Sequence, residues 1–257
     1  MGIPSSSFRE VLTEVRPHVR AWIPIVSLTK GLERDTDLRM SQVIEEVLPG
    51  HPVGVLTGPN LAREIMAGQA AASVLAMDDD IIVKHLQKVF NSGLFRVYTN
   101  DDVIGCELGG VLKNSIAIAV GMGDGQGAGD NTRAALITRG LSEVTRLGVA
   151  MGGKPETFAG LAGMGDMIAT CTSPQSRNRH VGIELGKGRS MEEIIEEMTM
   201  VAEGAKSAPA VMALANEHNV EMPIASDVSR VLAGDATASR AFRGLLRVEA
   251  RAESEPG

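Results

Sequence analysis

A chain of 257 residues, 44% of them hydrophobic, is long enough to bury one large core or two modest ones. Its net charge of −7 excludes a broad nucleic-acid surface, which needs clustered excess lysine and arginine, although a local anion pocket stays open. Cys106 and Cys171 are too few for a disulfide framework, and five scattered histidines lack metal-ligand spacing, so a reducing cytoplasm and no metal are expected.

The opening MGIPSSSFRE has no basic region followed by an apolar one, and no run of about eighteen uninterrupted apolar residues follows, so neither a secretory signal nor a membrane span is expected. Ser5, Ser6 or Ser7 can cap a helix carrying Phe8, Val11, Leu12 and Val15 and ending near Pro17. Short β-branched runs then alternate with amphipathic helical patterns. Strands are expected at Ile23–Leu28, Val53–Thr57, Ala71–Ala76 and Phe95–Thr99, with helices at Asp37–Leu48, Leu61–Met66 and Asp78–Phe90 between them. This rhythm predicts parallel strands joined by helices, and Lys30-Gly31-Leu32-Glu33 follows a strand end, where open α/β sheets place ligands.

After Asn100 the strand patterns stop. Helices are expected at about Asp101–Val120, Thr132–Met151, Pro155–Gly160, Asp166–Thr170, Asn178–Leu185, Met191–Met198, Ala205–His218 and Ile224–Leu232. The change divides the chain into 1–100, an α/β domain, and 101–248, an all-helical domain, followed by a charged tail, 249–257, expected to be disordered. The run Gly121–Gly129 contains a G-x-G-x-x-A match at Gly123, Gly125 and Ala128, but a helix precedes it where a dinucleotide fingerprint needs a strand. A flexible loop between helices is expected there.

Four stretches carry candidate chemistry. Glu107–Met122 is an apolar helix holding Lys113 and Asn114, so the cation either reaches the edge of the helix or points into a polar site. Adjacent Gly109 and Gly110 weaken that helix unless something approaches its backbone closely. Gly160–Asp166 is a glycine-rich turn in which Asp166 is either an N-cap or a carboxylate that orients a lysine. Cys171–His180 sets Arg177, Arg179, Ser176 and Asn178 at a helix start, a phosphate or carboxylate receptor or else a solvated polar loop. Val201-Ala202-Glu203-Gly204 reads alone as a capping turn.

In their order, KGLE at Lys30, GPNLAREI at Gly58, ELGGVLKN at Glu107, NTRAALITRGLSE at Asn131, GLAGMGD at Gly160, TCTSPQSRNR at Thr170 and VAEG at Val201 resemble NAD(P)-dependent glycerol-3-phosphate dehydrogenases of the bacterial type, over about residues 1 to 245. The resemblance implies a Rossmann-like parallel sheet domain, N-terminally truncated, followed by an all-helical substrate domain, with the site in the cleft between them. It implies interconversion of dihydroxyacetone phosphate and sn-glycerol 3-phosphate for glycerophospholipid synthesis, with NAD(P) as cofactor. Lys113 would be the proton acceptor in oxidation. Substrate contacts carry over to Lys30, Gly58, Asn60, Lys113, Asp166, Ser176, Arg177 and Asn178, and cofactor contacts to Lys30, Ala62, Arg177, Val201 and Glu203. A homodimer is a possible assembly.

Two departures stand out. Asn60 occupies a position that is often serine or threonine in the family, and the family's opening strand and G-x-G-x-x-G turn would precede Met1. The alternatives are a shortened, non-catalytic chain that keeps the helical domain, and a related β-hydroxyacid dehydrogenase.

Overall fold

A computed structural model describes residues 1–198 and 202–245. Packing divides them into two compact units, Met1–Val111 with Met151–Asp166, and Leu112–Ala150 with the described residues from Met167 onward. Strands end at Asn100, whereas the packing boundary falls inside a later helix. The expected tail, 249–257, lies outside the described residues.

The first unit is built on four strands, β1 (Ile25–Ser27), β2 (Val53–Thr57), β3 (Ala71–Met77) and β4 (Phe95–Asn100), in the spatial order β1-β2-β3-β4. They alternate with α1 (Phe8–Val15), α2 (Met40–Val47), α3 (Ala62–Met66) and α4 (Asp80–Phe90). The four strands fall where expected, but the sheet is mixed rather than parallel. β1 and β2 run parallel, as do β3 and β4, while β2 and β3 are antiparallel with Leu56 opposite Leu75. The reason lies in α3. Its five residues rise only about 7.5 Å against the roughly 17 Å of a five-residue strand, so the connection holds no helix long enough to cover β2 as the helix of a parallel crossover does, and β3 returns directly beside it.

Alternation sorts the strand side chains between two faces. Val55, Val74 and Ala76 pack with Cys106 and Ala162 on one, and Leu56, Leu75 and Met77 pack with Val83 and Val97 on the other. A further cluster joins Phe8 and Leu12 of α1 to Met40, Val43 and Ile44 of α2. Helix α4 opens on Asp79, whose carboxylate caps it by accepting from the amides of Ile81 and Ile82 at 2.9 Å.

The longest helix, α5, runs Val103–Gly125. It has the length and composition of a membrane span, yet 89% of its most apolar window is buried inside the protein, as in a core helix. Asp102 caps it, accepting from Gly105 N at 2.8 Å, and its other oxygen accepts from Thr157 Oγ1 at 2.7 Å and Lys154 N at 2.8 Å. Glu107, 6% exposed, reaches the start of α2, accepting from Arg39 Nη1 at 2.7 Å and Ser41 N at 2.8 Å. Buried carboxylates at two helix starts thus anchor the first half of α5.

The remaining helices are α6 (Asp130–Ala150), α7 (Pro155–Ala159), a π turn at Leu161–Gly165, α8 (Asp166–Thr172), α9 (Arg177–Gly186), α10 (Met191–Glu197), α11 (Glu203–Glu217), α12 (Pro223–Leu232) and α13 (Ala238–Leu245). The last was not expected. Nor does the loop expected from Gly121 begin there: Gly121, Gly123 and Gly125 continue α5, and only Gln126–Gly129 turns. In the second unit a Cβ on Gly182 would sit 2.9 Å from Gly121 Cα, and one on Gly186 would sit 2.9 Å from Gly125 Cα. Glycines spaced four apart on both helices let α5 and α9 cross backbone to backbone, and that close packing offsets the low helix propensity of the run.

Candidate active site

Each unit gathers its own set of the expected residues. In the first, Lys30 follows β1 and Gly58 follows β2, at the C-terminal ends of two parallel strands. Lys30 Nζ donates to Gly58 O at 2.8 Å and to Asp166 Oδ2 at 2.7 Å. Asp166 is 2% exposed and opens α8, but its carboxylate takes the Lys30 ammonium, so it is more than a helix cap. Gly58 has φ +129, a conformation reserved for glycine, and a Cβ there would press on Ser73 Cα at 3.3 Å. Asn60 Oδ1 accepts from Ser73 Oγ at 2.6 Å, leaving its amide NH2 available as a donor. Ala62 is exposed at the start of α3. Glu33 of the KGLE motif is committed elsewhere, paired with Arg9 at 2.7 and 2.8 Å.

The glycines before Lys113 meet the close approaches their cost implied. A Cβ on Gly109 would lie 2.6 Å from Ala162 O, and one on Gly110 3.2 Å from Thr57 Oγ1 and 3.3 Å from Lys30 Cγ.

The second unit holds Lys113, only 4% exposed, whose Nζ donates to Thr170 Oγ1 on α8. This ammonium points into a polar site; it does not reach for the surface. Next to it, Asn114 Oδ1 accepts from Asn178 Nδ2 at 2.9 Å, and Asn178 Oδ1 accepts from Gly204 N at 3.0 Å. Gly204 admits this contact because a Cβ there would lie 2.8 Å from Asn178 Oδ1. These bonds tie α5, α9 and α11 together beside Lys113 and fix Asn178 in place.

Ser176 is the N-cap of α9, its Oγ accepting from Arg179 N at 3.2 Å. Arg177 is exposed at the first position of that helix, with no hydrogen-bond or ion-pair partner among the described residues. Arg179, the other arginine of the stretch, is not available: it pairs with Asp124 at 2.7 Å, and Asp124 also takes Arg133 at 2.8 Å. The anion receptor expected from two arginines therefore keeps one free guanidinium, at a helix start whose amides add to it. Glu203 opens α11 half-buried, and Val201 lies outside the described residues.

Sequence reasoning missed Thr170 and Thr57. Thr170 follows Asp166 by four residues, the spacing that aligns side chains along a helix, which is the one signal that could have found it.

A family described as "NAD-dependent glycerol-3-phosphate dehydrogenase C-terminus" matches residues 102–243, and its N-terminal counterpart matches residues 1–82. The chain is similar to glycerol-3-phosphate dehydrogenase (NAD(P)+) 2 of Sphingopyxis alaskensis, 70% identical over all of this chain and 77% of that one. It is 57% identical to a glycerol-3-phosphate dehydrogenase (NAD(P)+) of Mycobacterium avium, over 96% of this chain and 72% of that one. The crystal structure of glycerol-3-phosphate dehydrogenase from Coxiella burnetii superposes with a TM-score of 0.91 at 42% identity, covering 96% of this chain and 76% of that one.

Proposed function

The chain belongs to the NAD-dependent glycerol-3-phosphate dehydrogenase family, and we propose that it interconverts dihydroxyacetone phosphate and sn-glycerol 3-phosphate, with Lys113 as its proton donor and acceptor. The observation that carries this reading is the buried Lys113 ammonium, held by Thr170 on an apolar helix. In the reductive direction negative charge grows on the C2 oxygen of the substrate, and Lys113 delivers a proton there; in oxidation it takes the proton back. Lys30 contributes a further positive charge for the substrate, and Asp166 holds Lys30 in position. Ser176, Arg177 and Asn178 receive the phosphate, so that its binding energy goes into orienting the carbonyl. Gly58 and Asn60 supply the remaining substrate contacts.

When bound, NAD(P)H supplies the hydride. The donor set suits such a group: the Lys30 ammonium and the unpartnered Arg177 guanidinium match its phosphates and amide, and the Glu203 carboxylate can accept from ribose hydroxyls. Ala62 and Val201 complete the proposed cofactor contacts. The product would enter glycerophospholipid synthesis in the cytoplasm, and a homodimer is the proposed assembly.

The test is loss of nicotinamide absorbance with dihydroxyacetone phosphate as substrate. Lys113→Met, which keeps the apolar volume, should lower turnover about 10²- to 10⁴-fold while leaving the circular dichroism spectrum unchanged. Undiminished turnover in a folded Lys113→Met variant would sink the assignment. Faster turnover of a phosphate-free hydroxyacid would favour a β-hydroxyacid dehydrogenase instead.

A further inference from the structure

The first unit also buries a threonine hydroxyl close to Lys30. Thr57 ends β2, and alternation puts it on the same face as Val55, which packs with Cys106 of α5. That face delivers Thr57 Oγ1 to Gly110, where Oγ1 and the methylene stem of Lys30 converge on one point, 3.2 and 3.3 Å from where a Cβ would stand. Thr57 is 1% exposed, and its hydroxyl has no hydrogen-bond partner among the described residues. The sheet's Ser73, also buried, does have one, in Asn60. A buried hydroxyl without a partner is destabilising, and valine would fill the same shape on a strand without that penalty. The next residue, Gly58, carries the carbonyl gripped by Lys30 Nζ at 2.8 Å. The atom beside the hydroxyl is thus a flexible stem whose ammonium already points to the same turn.

Resting on the function proposed above, we propose that Thr57 is a substrate-positioning residue, whose hydroxyl donates to an oxygen of the three-carbon phosphate that Lys30 holds. A small shift of the Lys30 stem uncovers Oγ1, and the absence of a Cβ at Gly110 leaves the space.

The experiment compares the full chain with Thr57→Val and Thr57→Ser by calorimetric titration with sn-glycerol 3-phosphate and by thermal unfolding without ligand. Thr57→Val should unfold at a higher temperature than the parent, because an unpartnered polar group is removed, yet bind sn-glycerol 3-phosphate about tenfold more weakly. Thr57→Ser should bind within about threefold of the parent. Equal affinity in Thr57→Val overturns this inference alone. So does a lower unfolding temperature for Thr57→Val, which would make the hydroxyl structural. Weakened NADH affinity with unchanged sn-glycerol 3-phosphate affinity gives the hydroxyl to the nucleotide and overturns it as well. If the parent chain binds no sn-glycerol 3-phosphate, the proposed function falls together with it.

Discussion

Two arginines, two positions apart at the start of α9, have opposite duties. Arg177 is exposed and unpartnered, while Arg179 is bonded to Asp124, whose side chain is only 9% exposed. Truncating them should therefore separate binding from stability. Arg177→Ala should change unfolding free energy by less than about 0.5 kcal/mol but raise the KM for dihydroxyacetone phosphate about tenfold or more, checked by denaturant titration and initial rates. Arg179→Ala should leave KM near the parent value and lower stability by roughly 1–3 kcal/mol, since a mostly buried carboxylate loses one of its partners. Both arginines were visible in the sequence as one cationic stretch. Their division of labour was not, because Asp124 lies 55 residues away and nothing local marks it as a partner.

At the level of elements, the crossing of α5 and α9 rests on the absence of side chains at Gly121, Gly125, Gly182 and Gly186. Gly182→Ala would push a methyl group against Ile118 O and Gly121, both backbone, which cannot move as a side chain can. Overpacking of this kind costs about 1–3 kcal/mol or more, so the thermal midpoint should fall despite alanine's better helix propensity. An unchanged or raised midpoint would mean that the helices separate at no cost. The same element shows how a local rule fails. Five glycines at alternate positions from Gly121 to Gly129 read as a loop by propensity, and only a second helix with matching spacing reveals Gly121 and Gly125 as a packing surface. The sheet repeats the lesson in another form: its strand positions were legible from β-branched runs, but the direction of β3 depended on how short α3 is.

At the scale of the whole molecule, one buried carboxylate couples folding to pH. Glu143 of α6 is 2% exposed and accepts from the amides of Ile224 at 2.7 Å and Ala225 at 3.2 Å, at the start of α12. Burial pushes its carboxyl up to about 7, against the opposing pull of those two amides and of Arg146 and Arg139. Because the folded state holds the proton more tightly than the unfolded chain, this contribution is complete below about pH 4.5 and is lost as pH rises through 7. The shift corresponds to roughly 3 kcal/mol. Unfolding followed through the second unit should weaken across that window, and Glu143→Gln should flatten the profile while keeping an acceptor for α12. A parent profile that rises over the same range would contradict this account.

Taken alone, the order of residues settled the strand positions and most of the helix positions, the change from alternating to helical architecture after Asn100, and the family. It did so because periodicity, helix caps and strand composition are local, and because ordered motifs survive as a string. What only the tertiary structure decided were the polarity of β3, the pairing of Arg179 with Asp124, the partnership of Lys113 with Thr170 and the unpartnered hydroxyl of Thr57. Each depends on which residues distant in sequence come within about 3 Å of one another, and hydrogen bonds and excluded volume act only at that range.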